Sequence, residues 1–186
     1  MNMKKSSIIA DVGLAGSGKT DVTQAFVHHG YARVGFNDVF YAAFTQSGLE
    51  TNEPNERKIR EALREQFGMA VMALKSLSTI EKALAQQKRV VVESLYSWEE
   101  YTFMKEKFGD AFRVLAIYTP PELRYARLAN RPVRPFTAQM ASARDYAEIA
   151  NLHKAGPIAM ADWTITNLSS KEKFMKEVEA LIASLT

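Results

Sequence analysis

Short apolar runs alternate with amphipathic stretches along the whole of this chain. Ile8-Ile9-Ala10-Asp11-Val12 is a short apolar run that ends at a glycine-bearing segment, which predicts a buried strand. Asp21-Val22-Thr23-Gln24-Ala25-Phe26-Val27 then repeats apolar residues at helical spacing, and Gly30 supplies its stop. Tyr31-Ala32-Arg33-Val34-Gly35-Phe36 reads as a second strand, and Asn37 or Asp38 can cap a short helix through Phe44. From Asn55 to Gln86, the residues Ile59, Leu63, Phe67, Ala70, Leu74, Leu77 and Leu84 fall on one face. This is one long amphipathic helix or two in sequence, with Gly68 a place to bend.

Arg89-Val90-Val91-Val92-Glu93 has the β-branched run of a buried parallel strand, and Ser97-Trp98-Glu99-Glu100 makes a capping box for the helix after it. Phe112–Tyr118 predicts a fourth strand and Thr119-Pro120-Pro121-Glu122 opens another helix. Helical pattern resumes at Thr137 or Ala138. Trp163-Thr164-Ile165-Thr166 is a fifth strand, and Ser169-Ser170-Lys171-Glu172 caps a terminal helix carrying Phe174, Val178, Leu181 and Leu185. Strands separated by helices imply a parallel α/β sheet covered on both faces, because parallel strands need crossover connections. At 186 residues the chain reads as a single domain, 1–186.

The connection after the first strand carries the strongest chemical signal. Gly13-Leu14-Ala15-Gly16-Ser17-Gly18-Lys19-Thr20 fits G-x-x-x-x-G-K-[ST] at every required position, between a predicted strand and a predicted helix. Glycines let the backbone wrap a phosphate chain and turn several N–H groups inward. Lys19 supplies a mobile charge for the β- and γ-phosphates, the Thr20 hydroxyl is placed to ligate Mg²⁺, and the helix N-terminus favours the anion. Binding of ATP with Mg²⁺ follows.

Composition narrows the class only modestly. Hydrophobic residues make up 47% and charged residues 24%, as in an ordinary globular protein. No segment approaches the roughly 20 apolar residues of a membrane span. Met1-Asn2-Met3-Lys4-Lys5 is followed by a hydrophobic stretch too short for a signal peptide. The chain has no cysteine, which fits the cytoplasm. A net charge of +3 gives little support to nucleic acid as a partner. A monomer or weak homodimer is expected.

Further candidates lie beyond the glycine loop. Asp38 follows the second strand, where it could orient or deprotonate an attacking hydroxyl, hold a water of the Mg²⁺ shell, or simply cap a helix. Glu93 ends the third strand, where it is either an acid of the Mg²⁺ shell or a carboxylate satisfied by loop N–H groups. Arg124, Arg127 and Arg131, spaced i, i+3 and i+7, share a helix face, and Pro132 and Pro135 bracket Arg134. With Arg144, they suggest an arginine-bearing lid over about residues 131–137 that closes on phosphate and excludes water. The three histidines form no metal or catalytic constellation.

Together these residues resemble the nucleoside monophosphate kinase superfamily, most closely its dephospho-coenzyme A kinase-like and adenylate kinase-related branch. The specific matches are Val34-Gly35-Phe36-Asn37-Asp38, Val90-Val91-Val92-Glu93-Ser94, Ala143-Arg144-Asp145, and Ala159-Met160-Ala161-Asp162 leading to Ile165-Thr166-Asn167. The resemblance implies a three-layer α/β/α P-loop fold with strand order 2-3-1-4-5 and Mg-ATP at the P-loop. It puts an acceptor site between the second strand and the long helix, Arg131 beside ATP, and Asn167 near the adenine.

Two departures stand out. Phe40-Tyr41-Ala42 replaces the usual acceptor-phosphate arginine, and Leu95-Tyr96 stands where relatives often carry a basic residue. Arg57, Arg60 or Arg64 could restore the charge. Two readings follow: a small kinase phosphorylating a nucleotide-like acceptor (a nucleoside monophosphate or dephospho-coenzyme A type), or a P-loop module that hydrolyses ATP slowly and acts on partners.

Overall fold

Ile8, Ala10 and Val12 point to one side of the first strand, Ile9 and Asp11 to the other, and all five residues are buried. Such a strand must lie inside a sheet covered on both faces. A computed structural model shows that sheet; it describes residues 7–86 and 88–185, so Met1–Lys5 lie outside the described residues. The strands are β1 (Ile8–Val12), β2 (Ala32–Gly35), β3 (Val90–Glu93), β4 (Phe112–Tyr118) and β5 (Trp163–Thr166). All pair in parallel, in the order β2-β3-β1-β4-β5.

Helices α1 (Lys19–His28) and α9 (Lys171–Leu185) cover one face. There Ile9, Val91, Leu115, Ile117 and Ile165 pack with Phe26, Phe174, Val178 and Ile182. The other face packs Val34, Val92 and Val114 under α2 (Phe36–Ser47), α3 (Glu53–Phe67), α4 (Val71–Ala85) and α5 (Trp98–Phe108). A smaller cluster of Ala15, Leu128 and Ala141 seats α6 (Pro121–Ala129) and α7 (Ala138–Leu152) against the glycine loop. A one-turn helix α8 (Ala155–Ala159), unmarked in the sequence pattern, precedes β5.

Three local expectations change. The second strand is shorter than 31–36, because Phe36 already begins α2. Gly35 is the N-cap of that helix and no side chain caps it, so neither Asn37 nor Asp38 has that role. Helix α6 ends at Ala129, which removes Arg131 from the face shared by Arg124 and Arg127. The segment 55–86 is indeed two helices, parted at Gly68 (φ +83°). The capping box at Ser97 and Glu100 is present in full.

Candidate functional site: a P-loop with a ring of cations

Parallel strands deliver their loops to the carboxyl edge of the sheet, which is where the site forms. The loop from Gly13 to Thr20 leaves β1 and turns into α1. Gly16 and Gly18 have φ of +82° and +108°, and a Cβ on Gly18 would lie 2.5 Å from Asn167 Nδ2. This is a backbone cradle that side chains would fill. Lys19 Nζ lies across its mouth, donating to the carbonyls of Gly13 (2.8 Å) and Leu14 (3.2 Å). Withdrawal from water and the nearby positive charge of Lys154 push the Lys19 ammonium down to about 8. Thr20 is exposed at the first turn of α1, and Ser17 Oγ is buried with no partner.

Lys154 is the residue that sequence reasoning missed. It is buried, donates to Glu148 Oε2 at 2.6 Å, and lies 4.3 Å from the centre of the Tyr96 ring. Glu148 also accepts from Arg144 Nε at 2.9 Å. Burial works against its charge, yet Lys154 and Arg144 together hold the Glu148 carboxyl down at about 2. Arg131 feels both desolvation and the charge of Arg144, and both lower its value. Lys19, Lys154 and Arg144 thus lie near one another around the Glu148 carboxylate, with Arg131 beside Arg144. Lys154 follows His153 in a polar stretch, and no local pattern distinguished it from a surface lysine.

The arginines of this region divide into two kinds. Arg124 is buried and structural: it forks onto Asp145 (2.9 and 2.6 Å) and donates to the carbonyls of Thr119 and Ala15. Arg127 donates to the carbonyl and side-chain oxygen of Asn167, whose amide reaches the Ser17 carbonyl at 2.9 Å. The Asn167 side chain thus braces the P-loop from behind. Arg134, in the loop 130–137, pairs with Glu56 of α3 at 2.6 Å. That pair ties the loop to the helix beside the predicted acceptor cleft.

On that side, Arg33 joins Asp38 and Glu93. Asp38 also lines a cavity of about 260 Å³ at the β2 edge with Lys75, Ser76 and Thr79. Arg57 pairs with Glu61, and Arg60 pairs with Glu56 and lies over Phe40. Arg64 is half-buried near Glu100 and Tyr96, and its Nε lacks a partner. Burial pushes Glu100 up to about 7 although it accepts from the N–H groups of Tyr96 and Ser97. Asn37 donates to the Tyr96 hydroxyl at 2.9 Å. Among the described residues no group of three or more His, Cys, Asp or Glu could hold a metal. Among the described residues no helix is long and apolar enough to cross a membrane.

The AAA domain family matches residues 9–150. A UPF0200 protein of Pyrococcus abyssi is 30% identical over 181 residues, which covers 96% of this chain and 96% of that one. The chain belongs to the AAA domain family and to the UPF0200 proteins. Its fold is that of the P-loop nucleoside monophosphate kinase-like superfamily. A gluconokinase from Sinorhizobium meliloti aligns with a TM-score of 0.61 at 14% identity, covering 97% of this chain and 94% of its own. A dephospho-CoA kinase from Campylobacter jejuni aligns at 0.56 and 17% identity, covering 97% of each. Sequence pattern and topology agree on the fold.

Proposed function

We propose that this UPF0200 protein is a Mg-ATP-dependent phosphotransferase acting on a small nucleotide-like acceptor. The observation that carries the reading is the Arg134–Glu56 pair. It joins the arginine loop to α3, which would link the segment over the phosphates to the helix over the acceptor as one cover. Enclosure from water matters when the phosphoryl group must reach an acceptor instead of hydrolysing. A module that only binds ATP has no need of it.

In this reading the backbone of Gly13–Gly18 and Lys19 hold the triphosphate. Thr20 and Glu93 are the residues that would hold Mg²⁺. When bound, the ion neutralises charge on the transferring phosphoryl oxygens. Thr20 is open to it, and only the Oε2 atom of Glu93 is bonded to Arg33. Lys154, Arg131 and Arg144 spread further positive charge around the γ-phosphoryl, with Glu148 holding Lys154 and Arg144 in place. Asp38 orients the acceptor's attacking oxygen and, where that oxygen is a hydroxyl, takes its proton. Arg60 and Arg64 meet an anionic group on the acceptor, a nucleoside monophosphate or dephospho-coenzyme A type molecule.

The test is turnover with ATP across a panel of nucleoside monophosphates, dephospho-coenzyme A and small polyols. One acceptor is expected to be phosphorylated, and Asp38→Asn should lower its turnover on the order of 10²-fold with ATP affinity retained. The substituted Phe40-Tyr41-Ala42 segment favours the alternative, a regulatory ATP-binding module. Absence of transfer by wild type to every acceptor would select that alternative.

A further inference from the structure

Arg33 is the side chain on which the two acids of the proposed acceptor cleft meet. Its Nη1 and Nη2 fork onto both oxygens of Asp38 at 2.9 and 3.1 Å, and its Nε donates to Glu93 Oε2 at 2.6 Å. Three elements are joined at this point: β2 supplies Arg33, α2 supplies Asp38 and β3 supplies Glu93. Gly35 stands opposite Glu93 in the strand register. A Cβ there would lie 2.5 Å from Arg33 Nη2 and 2.6 Å from Asp38 Oδ1. The bridge therefore depends on a residue without a side chain. Asp38, in the first turn of an uncapped helix, faces the guanidinium and leaves the helix N–H groups without a side-chain cap.

We infer that Arg33 is a positioning residue for the proposed transfer, fixing the carboxylates of Asp38 and Glu93 in one arrangement at the ends of β2 and β3. This rests on the phosphotransferase reading above. Two acids this close repel each other and would each take several rotamers. A planar fork can hold both oxygens of one and an oxygen of the other at once, which a lysine ammonium cannot do with the same geometry. The cluster is also poor as a stabilising device, since the side chains of Arg33 and Asp38 are 38% and 55% exposed. Its value lies in geometry: misplacement of a reacting group by an ångström costs on the order of 10²-fold in rate.

The experiment compares wild type with Arg33→Ala, Arg33→Lys, Asp38→Asn and the Arg33→Ala/Asp38→Asn double variant. Readouts are kcat and KM for the best acceptor, the Kd for ATP and the crystal structures. Arg33→Ala should lower kcat on the order of 10²-fold with little change in ATP affinity or melting temperature. Arg33→Lys should recover little of the loss, and added guanidinium ion should recover part of it. In the Asp38→Asn background the same change should cost clearly less than in wild type, because only the placement of Glu93 is still lost. Unchanged or increased kcat in Arg33→Ala, or fully additive losses in the double variant, would overturn the inference. If wild type transfers to no acceptor, the kinase reading fails and the crystal structures decide Arg33 on their own. Displaced carboxylates in Arg33→Ala sustain its positioning role, and unmoved ones refute it.

Discussion

Asp11 is a carboxylate 1% exposed in the middle strand, two residues before the P-loop. It accepts from Thr23 Oγ1 at 2.5 Å and from the Ser94 N–H at 2.9 Å. Burial nonetheless pushes it from 3.8 up to about 6. A raised carboxyl means that the folded chain binds this proton more tightly than the unfolded chain. Its contribution to stability is therefore fully present below pH 3.8 and is lost as pH rises through about 6. The shift corresponds to about 3 kcal/mol of cost at neutral pH. Asp11→Asn keeps both contacts, with the amide oxygen toward Ser94 and the amide nitrogen toward the Thr23 hydroxyl. The variant should melt higher than wild type at pH 7.5, and the gap should close between pH 6 and 4 in calorimetric scans. A lower melting temperature at neutral pH would show that the fold needs the charge, through Lys19. Among single residues, the motif lysine and threonine were readable because their neighbours in sequence define their chemistry. Lys154, Arg33 and Asp11 were not, because each also depends on a contact from an element distant in sequence: Tyr96 for Lys154, Glu93 for Arg33 and Ser94 for Asp11.

Elements came through well where their signals are local. The capping box of α5, the proline opening of α6 and the β-branched run of β3 each sit within a few residues. The arginine pattern misled because a spacing of i, i+3, i+7 describes a face only while the helix lasts, and α6 stops before Arg131. What that face touches is also invisible locally. Arg124 is buried to 2% and ties α6 to Asp145 of α7 and to the Ala15 carbonyl of the P-loop. Arg124→Met should cost about 3–5 kcal/mol, since it strands the Asp145 carboxylate with only the Tyr125 hydroxyl. Chemical denaturation would measure it, and a loss below 1 kcal/mol would mean that Asp145 finds water or another donor. The Arg124→Met/Asp145→Leu pair should regain much of the loss.

Across the whole molecule, the loop 130–137 spans from the P-loop side to α3 through Arg134 and Glu56, with Val133 72% exposed at its tip. Binding of an ATP analogue together with an acceptor should protect this loop from proteinase K, and Glu56→Gln should expose it in the free protein. Equal cleavage rates in the free, liganded and Glu56→Gln proteins would exclude a latch. The sequence by itself determined the β/α alternation, the phosphate cradle and the sheet class. Each of these depends on periodicity or on glycines at fixed offsets, which are properties of contiguous chain. Only the tertiary structure decided which cations meet at the carboxyl edge of the sheet. Arg124 and Arg127 turn inward to brace the P-loop, Lys154 pairs with Glu148, and Arg33 gathers Asp38 and Glu93. Those assignments follow from desolvation and pairing between elements that meet at the carboxyl edge of the sheet, and burial there is set by the packing of the whole chain.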